Sequence, residues 1–112
     1  MAGVPEERVG INEATFRKVN EGIERGSERH RMTFACECGR LGCNQLIELS
    51  RTEYEAVRAH PRRFFLLASH ELREVERIVE RHDDYLVVEK AGDAGATAER
   101  TDPRAPPDAE RP

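Results

Sequence analysis

Three cysteines lie within eight residues of this 112-residue chain, at Cys36, Cys38 and Cys43, and the sequence contains no other cysteine. Thiolates that lie this close in sequence usually bind a shared metal ion, most often zinc. An odd number of cysteines also cannot pair completely into disulfides within one chain. The spacing therefore predicts a metal site, with Zn²⁺ as its ion, around which a short chain can be stabilised.

The loop that carries the cysteines also contains residues that let it turn around an ion. Gly39 and Gly42 can adopt positive φ at little cost, which the loop needs if its thiolates are to converge. Backbone N–H groups in such a loop can donate hydrogen bonds to the thiolates and stabilise their charge. We therefore predict that the cysteines sit at the tip of a β-hairpin.

A tetrahedral zinc site needs a fourth ligand, and imidazole suits zinc as well as thiolate does. The candidate histidines are His30, His60, His70 and His82. His70 is the predicted ligand, because it follows the apolar run 64–67, whose burial would hold it rigidly within reach of the hairpin tip. The other three lie in an exposed-looking segment, at a helix end before a proline, and in an acidic turn. Water or a carboxylate such as Glu37 is the alternative fourth ligand.

A zinc ion in this setting is predicted to be structural rather than catalytic. Catalytic zinc keeps one position open for water and has a base nearby, and Glu37 is the carboxylate that the motif offers for that role. Its place between two thiolates makes it hard to aim at a metal-bound water, and three thiolates weaken the ion as a Lewis acid. The sequence has no nucleophile elbow, phosphate loop or dinucleotide fingerprint.

These features lead to a functional hypothesis: a small, non-enzymatic zinc-binding protein that contacts another protein in a regulatory role. A second interpretation is a redox-responsive switch, since clustered thiolates can be oxidised and then release their metal. A third interpretation is a small zinc-dependent hydrolase. The sequence identifies neither the protein partner nor the oligomeric state.

Charge is abundant but evenly mixed along the chain. There are 18 Lys and Arg residues against 22 Asp and Glu residues, for a formal net charge of −4. A nucleic-acid-binding domain concentrates basic charge, so this mixing argues against a nucleic-acid partner. The one locally basic stretch, residues 58–63, is interpreted as a solvated helix end, because no aromatic platform for bases surrounds it.

No apolar run is long enough to span a membrane, and residues 1–7 lack the basic and apolar regions of a signal peptide. These two observations predict a cytoplasmic protein without a membrane partner. The cytoplasm keeps thiols reduced, which favours metal binding over disulfide formation.

The first half of the chain predicts a helix, a hairpin and a second helix. The helix is expected from about Glu13 to Arg25, with Asn12 as its N-cap and an apolar stripe of Phe16, Val19 and Ile23 against the core. Segments 32–35 and 45–49 are predicted to be the two strands of the hairpin. Ser50 and Glu53 form a capping box, which begins a short central helix from Arg51 to about Ala59.

The second half predicts further strands. Residues 64–67 form the most apolar run in the chain and indicate a buried strand. Residues 72–81 fit a helix and a strand about equally well. Residues 82–84 are predicted to form a turn that leads into a strand over 85–89.

The predicted architecture is an α+β fold, a small zinc-stabilised domain. Its parts are the N-terminal helix, the cysteine-bearing β-hairpin, the short central helix and the further β-strands. The domain is expected to span residues 12–90, after a flexible N-terminus over 1–11. Residues 91–112 contain no large apolar side chain and several prolines, so a disordered tail is predicted there.

Several groups of residues form a pattern, Phe-x-Cys-Glu-Cys…Cys…His, with flanking segments. They are residues 34–38 with Cys43, residues 53–64, His70, and residues 85–90. The pattern resembles a family of small uncharacterised bacterial proteins, over residues 12–90 of this chain. No activity is established for that family, so the resemblance implies no reaction. Of the four histidines only His70 stands at a defined position of the pattern, since position 60 within residues 53–64 is undefined, and this supports His70 as the fourth ligand.

Overall fold

The computed structural model describes residues 6–40, 42–72 and 74–104 of the chain. Within these ranges the chain forms helix α1 (Glu6–Arg25), strands β1 (Arg31–Ala35) and β2 (Leu46–Ser50), helix α2 (Arg51–Arg58), strands β3 (Arg63–Leu66), β4 (Glu76–Arg81) and β5 (Leu86–Lys90), and helix α3 (Gly92–Arg100). The predicted α+β class is confirmed. None of the helices in the described ranges is long and apolar enough to cross a membrane.

The strands form two small antiparallel sheets. Strands β1 and β2 pair as a hairpin, in which Met32 lies opposite Leu49 and Phe34 lies opposite Ile47. All four of these side chains are buried, because apolar residues alternate with exposed ones along both strands. The second sheet has the order β3-β5-β4.

Residues 76–81 are a strand, so the helical alternative for 72–81 is wrong there. Strand β4 pairs with β5, and its register shifts between Ile78 and Glu80. A β-bulge at this point absorbs one extra residue and interrupts the alternation of apolar residues, which explains why the sequence fits a helix about as well as a strand. The turn that follows is closed by a hydrogen bond from the His82 N–H to the Tyr85 carbonyl, at 2.9 Å.

The core lies where the hairpin, α2 and β3 meet. The Phe34 and Tyr54 rings stack at a centroid distance of 4.4 Å, and Phe65 meets both rings edge-on at 5.8 and 5.9 Å. Helix α2 is started by the predicted capping box: Ser50 Oγ accepts from the Glu53 N–H at 3.0 Å, and Glu53 Oε1 accepts from the Ser50 N–H at 2.8 Å. This cap directs Tyr54 into the core.

Helix α1 begins at Glu6, so the prediction of a flexible segment over 1–11 is wrong for residues 6–11. Asn12 lies inside the helix and is not its N-cap.

Helix α1 docks through polar side chains more than through its apolar stripe. Its buried polar residues are Glu13, Arg17, Asn20 and Glu21. The Arg17 guanidinium donates to the carbonyl oxygens of Pro61 at 2.8 Å and Ala98 at 2.7 Å. Of the predicted stripe, Ile23 packs against the core but Val19 is 48% exposed, so the prediction is wrong for Val19. Each of these four residues has at least one polar partner, which offsets part of the cost of its burial.

Residues 92–100 form helix α3, so the predicted disordered tail over 91–112 is wrong for this segment. The helix buries Gly95 and Ala98. A Cβ at Gly95 would lie 2.9 Å from the backbone carbonyl oxygen of Lys90 and would also meet the Arg62 guanidinium, so only glycine permits this approach. Sequence reasoning missed α3 because it packs with small residues and contains no large apolar side chain.

Arg104 ties the end of the described chain back to the domain. Its guanidinium pairs with Glu21 at 2.7 Å and with Glu55 at 2.7 Å. The rest of the predicted tail, 105–112, and residues 1–5 of the predicted flexible N-terminus lie outside the described residues.

A buried ionic cluster joins α1, β4 and β5. The Lys90 ammonium contacts the carboxylates of Glu13 and Glu76, and the three side chains are 1%, 6% and 1% exposed. Two carboxylates share one ammonium here, so a proton on one of them makes the cluster neutral. Burial raises the pKa of Glu13 to about 7, against the opposing pull of Lys90.

This raised pKa predicts a pH-dependent contribution to stability from Glu13. Ionising Glu13 in the folded state is costly because the side chain is buried. The contribution of Glu13 to the free energy of unfolding is therefore complete below its unfolded pKa of 4.5 and is lost as pH rises through about 7. We expect Glu13→Gln to raise the free energy of unfolding at pH 8 by about 2 kcal/mol more than at pH 5. Chemical denaturation of both proteins at the two pH values measures this difference, with Glu28→Gln, at an exposed site, as the control. An effect of Glu13→Gln that does not change with pH would contradict it.

Candidate metal centre

The structure brings together the four predicted metal ligands. One atom from each of Cys36, Cys38, Cys43 and His70 lies within 4.8 Å of the other three. His70 Nδ1 lies 3.6 Å from Cys36 Sγ and 3.8 Å from Cys43 Sγ. In the described ranges this is the one group of three or more His, Cys, Asp or Glu residues placed to share an ion, so His30, His60 and His82 lie outside it.

The spacing of these atoms fits a tetrahedral zinc ion. With Zn–S bonds of about 2.3 Å and a Zn–N bond of about 2.0–2.1 Å, a tetrahedron places the nitrogen about 3.6 Å from each sulfur. The two measured distances, 3.6 and 3.8 Å, lie close to this value. These two distances are those of a zinc tetrahedron, and all four ligand atoms lie within 4.8 Å of one another.

The hairpin and its loop position the thiols. The Cys36 N–H donates to the Gln45 carbonyl at 3.0 Å, which extends the β1–β2 ladder by one step. Beyond it the loop turns, with Gly39 at φ 71° and Gly42 at φ 84°, as the sequence predicts. The Arg40 N–H points at Cys38 Sγ at 3.5 Å, which is the predicted type of amide-to-thiolate contact.

His70 is positioned by a tight turn after β3. The His70 N–H donates to the Leu67 carbonyl at 3.1 Å, and Ser69 has φ 74°, in the left-handed region that a non-glycine residue seldom adopts. The Arg40 side chain donates to the Ser69 carbonyl at 2.9 Å, so the cysteine loop and the histidine turn hold each other. The Leu67 N–H in turn points at Cys36 Sγ at 3.4 Å.

Glu37 points away from the thiols and into the core. It is fully buried, and its two carboxylate oxygens accept from the Arg58 guanidinium at 2.7 Å each. Asn20 Nδ2 donates to it at 2.8 Å and the Phe65 N–H at 3.3 Å. The two interpretations of Glu37, as a fourth ligand and as a catalytic base, are therefore wrong, because its oxygens are taken up by Arg58 and its neighbours.

Arg58 was the residue of this site that the sequence did not reveal. The basic stretch 58–63 was interpreted as a solvated helix end, but the Arg58 side chain is only 2% exposed. Burial lowers the pKa of Arg58, and the Glu37 carboxylate more than offsets this and holds it above its usual value. The available signal was a single acidic residue between two ligating cysteines, which needs a buried cation if it faces inward.

The thiols affect one another's protonation. Chiefly because the Cys36 thiol hydrogen-bonds to it, the pKa of Cys38 is lowered to about 5, while the pKa of Cys36 is raised by the same contact. The contact between the two sulfurs therefore favours the thiolate form of Cys38. Such a site attracts a cation.

An open cleft borders the cluster on one side. Three loops form it: the cysteine loop, the turn after β3 and the β4–β5 turn. Its volume is about 610 Å³, and among the residues that line it are Arg40, Cys43, Ala68, His70, Asp83 and Asp84. The His82 and Tyr85 rings, stacked at 4.2 Å, form part of the same wall. Of the four predicted metal ligands, Cys43 and His70 line the cleft.

Comparison with protein-family models, with curated proteins and with solved structures found no match to this chain. What the site can do therefore rests on its own geometry and chemistry.

Proposed function

We propose that the chain is a small zinc-binding domain in which Cys36, Cys38, Cys43 and His70 hold one structural Zn²⁺. The main support is that His70 Nδ1 lies 3.6 Å from Cys36 Sγ and 3.8 Å from Cys43 Sγ, which are distances between neighbouring corners of a zinc tetrahedron. Three thiolates and one imidazole form a ligand set that binds zinc in preference to magnesium or calcium, because those two ions take oxygen ligands. The proposal requires reduced thiols, as in the cytoplasm.

A structural role follows from the number of ligands and from where Glu37 points. Four protein ligands fill a tetrahedron and leave no position for a reacting water. Glu37, the nearest carboxylate in sequence, is bound to Arg58 and does not reach the cluster. The hydrolase interpretation has neither an open coordination site nor a base to support it.

The ion would add a bond between two parts of the fold that also meet in the core. Cys36, Cys38 and Cys43 belong to the loop of the β1–β2 sheet, whereas His70 follows β3 of the other sheet. A bond through zinc therefore links the two sheets at the end where the loops meet. Structural zinc typically contributes about 10–16 kcal/mol of apparent binding free energy, which in small domains is also folding free energy.

X-ray absorption of the purified zinc-loaded protein tests the ligand set. We expect one zinc per chain, with three sulfurs at about 2.3 Å, one nitrogen at about 2.0–2.1 Å and no exchangeable oxygen. A shell with a bound water and fewer than three sulfurs would favour the hydrolase and overturn the structural assignment.

We further propose that the domain acts by contacting another protein through the cleft beside the zinc site. What supports this is its open, mixed-charge surface, with Arg40 on one side and Asp83 and Asp84 on the other. A surface of this kind suits reversible contacts with a charged partner segment more than it suits enclosure of a small substrate.

Photo-crosslinking in cells of the source organism tests the contact. Asp84→Arg is expected to abolish crosslinks made by the wild-type protein while leaving zinc content and melting temperature unchanged, because Asp84 is exposed. Glu28→Arg is the matched control, since Glu28 is exposed and outside the cleft lining. Equal crosslinking by the two variants would contradict a role for the cleft.

A further inference from the structure

The three cysteines are unequally protected. Cys36 and Cys38 are each only 1% exposed, whereas Cys43 is half-buried and lines the cleft. A molecule the size of hydrogen peroxide that enters the cleft therefore meets the sulfur of Cys43 first.

The loop is also anchored unequally. Cys36 and Cys38 flank Glu37, whose carboxylate is held in the core by Arg58. Cys43 lies beyond that anchor, in a turn closed by a hydrogen bond from its N–H to the Arg40 carbonyl at 3.1 Å. Cys36 and Cys38 are therefore held in place on either side of Glu37, whereas Cys43 lies outside this anchor.

We propose that Cys43 is the oxidation site of the zinc centre: hydrogen peroxide oxidises it first, and it then forms a disulfide with Cys38, which releases the ion. The inference rests on the proposed zinc site. Cys38 is the resolving partner because its sulfur lies within 4.8 Å of that of Cys43 and accepts from the Arg40 N–H at 3.5 Å, in the same turn as Cys43. Cys36 is held instead by the Leu67 N–H and the His70 ring.

The chemistry balances with peroxide as the only oxidant. The Cys43 thiolate attacks one peroxide oxygen, the O–O bond breaks, hydroxide leaves, and Cys43 carries a sulfenic acid. The Cys38 thiolate then attacks the sulfenic sulfur, the S–O bond breaks, a second hydroxide leaves, and the S–S bond forms. The two thiolates lose two electrons and peroxide gains them. Zinc is left with Cys36 and His70 alone, too few ligands to hold it tightly.

Loss of the ion would reach the cleft directly, because Cys43 and His70 both line it. The contact surface and the redox-sensitive thiol are thus parts of one structure. Oxidation would change the surface that the proposed partner meets, and reduction in the presence of zinc would restore it.

The test treats the full zinc-loaded chain with hydrogen peroxide and follows zinc release with a chromogenic chelator. Peptide mapping by mass spectrometry is expected to find a Cys38–Cys43 disulfide, with Cys36 still a thiol, and dithiothreitol with added zinc should restore the starting protein. A Cys36–Cys38 disulfide, irreversible oxidation of Cys43 alone, or retention of zinc with all thiols intact would overturn the proposal. Native mass spectrometry before peroxide measures the zinc content separately, so failure of the zinc site itself is distinguished.

Two alanine-to-phenylalanine variants test the route through the cleft. Ala68 is exposed and lines the cleft, whereas Ala56 is exposed on α2 and does not. In variants shown to carry one zinc, Ala68→Phe is expected to slow labelling of Cys43 by N-ethylmaleimide several-fold. Ala56→Phe should label at the wild-type rate. Equal rates in the two variants would show that the cleft does not control access to Cys43.

Discussion

His70→Ala is expected to remove the tightly bound zinc and to destabilise the domain by several kcal/mol. His70 is the one proposed ligand that comes from outside the cysteine loop, so its loss also breaks the link between the two sheets. Removing even a residue that only supports a ligand costs about 10–100-fold in metal affinity. A loss of at least about 100-fold lowers the free energy of unfolding by about 2.7 kcal/mol at a fixed zinc concentration.

Competition with a zinc chelator measures the affinity, and thermal unfolding with and without zinc measures the stability. His60→Ala is the matched control, because His60 is exposed and lies outside the cluster. It should bind zinc as the wild-type protein does. Wild-type protein treated with a chelator should unfold at the same temperature as His70→Ala. A His70→Ala variant that keeps wild-type zinc affinity would remove this residue from the site.

Arg58→Ala is expected to destabilise the domain by about 3–5 kcal/mol, because it leaves the Glu37 carboxylate buried without its cation. Both side chains are almost inaccessible, at 2% and 0% exposed, so water cannot replace the lost partner. Glu37 lies between two of the proposed ligands, so the same change should also weaken zinc binding. Urea denaturation of the zinc-loaded protein measures the first effect, and chelator competition measures the second.

Arg77→Ala is the control for this prediction. Arg77 pairs with Glu89 at 3.2 Å, but its side chain is 72% exposed, so the pair should contribute no more than about 1 kcal/mol. The double variant Glu37→Gln with Arg58→Met should recover part of the stability lost in Arg58→Ala, since it removes the uncompensated charge. If Arg58→Ala costs no more than Arg77→Ala, the buried pair does not hold the loop.

The features that could be predicted from the sequence depend on neighbours in the chain. Cys36, Cys38 and Cys43 lie in one loop, so their spacing alone indicated a shared ion. The capping box at Ser50 and the alternation along the hairpin strands are local signals of the same kind, and the structure contains both. His70 was selected because it follows a buried strand, which limits where its side chain can reach.

The features that were missed depend on partners far away in sequence. Glu37 and Arg58 are 21 residues apart in sequence. Burial of either charged side chain is tolerated only because the other one neutralises it. Helix α3 packs through Gly95 and Ala98, and a helix that packs closely through small residues has no apolar stripe to predict it. Residues 76–81 are a strand because β5 offers them an edge to pair with.

The sequence by itself determined the three cysteines of the candidate metal centre, because residue type and spacing are properties of the chain. Only the tertiary structure decided how that centre is held and which side of it is open. The Glu37 carboxylate faces the core because the Arg58 guanidinium binds it there. Cys43 lines a cleft that is formed by the cysteine loop, the turn after β3 and the β4–β5 turn. Burial and charge compensation are set by residues that the chain brings together only when it folds.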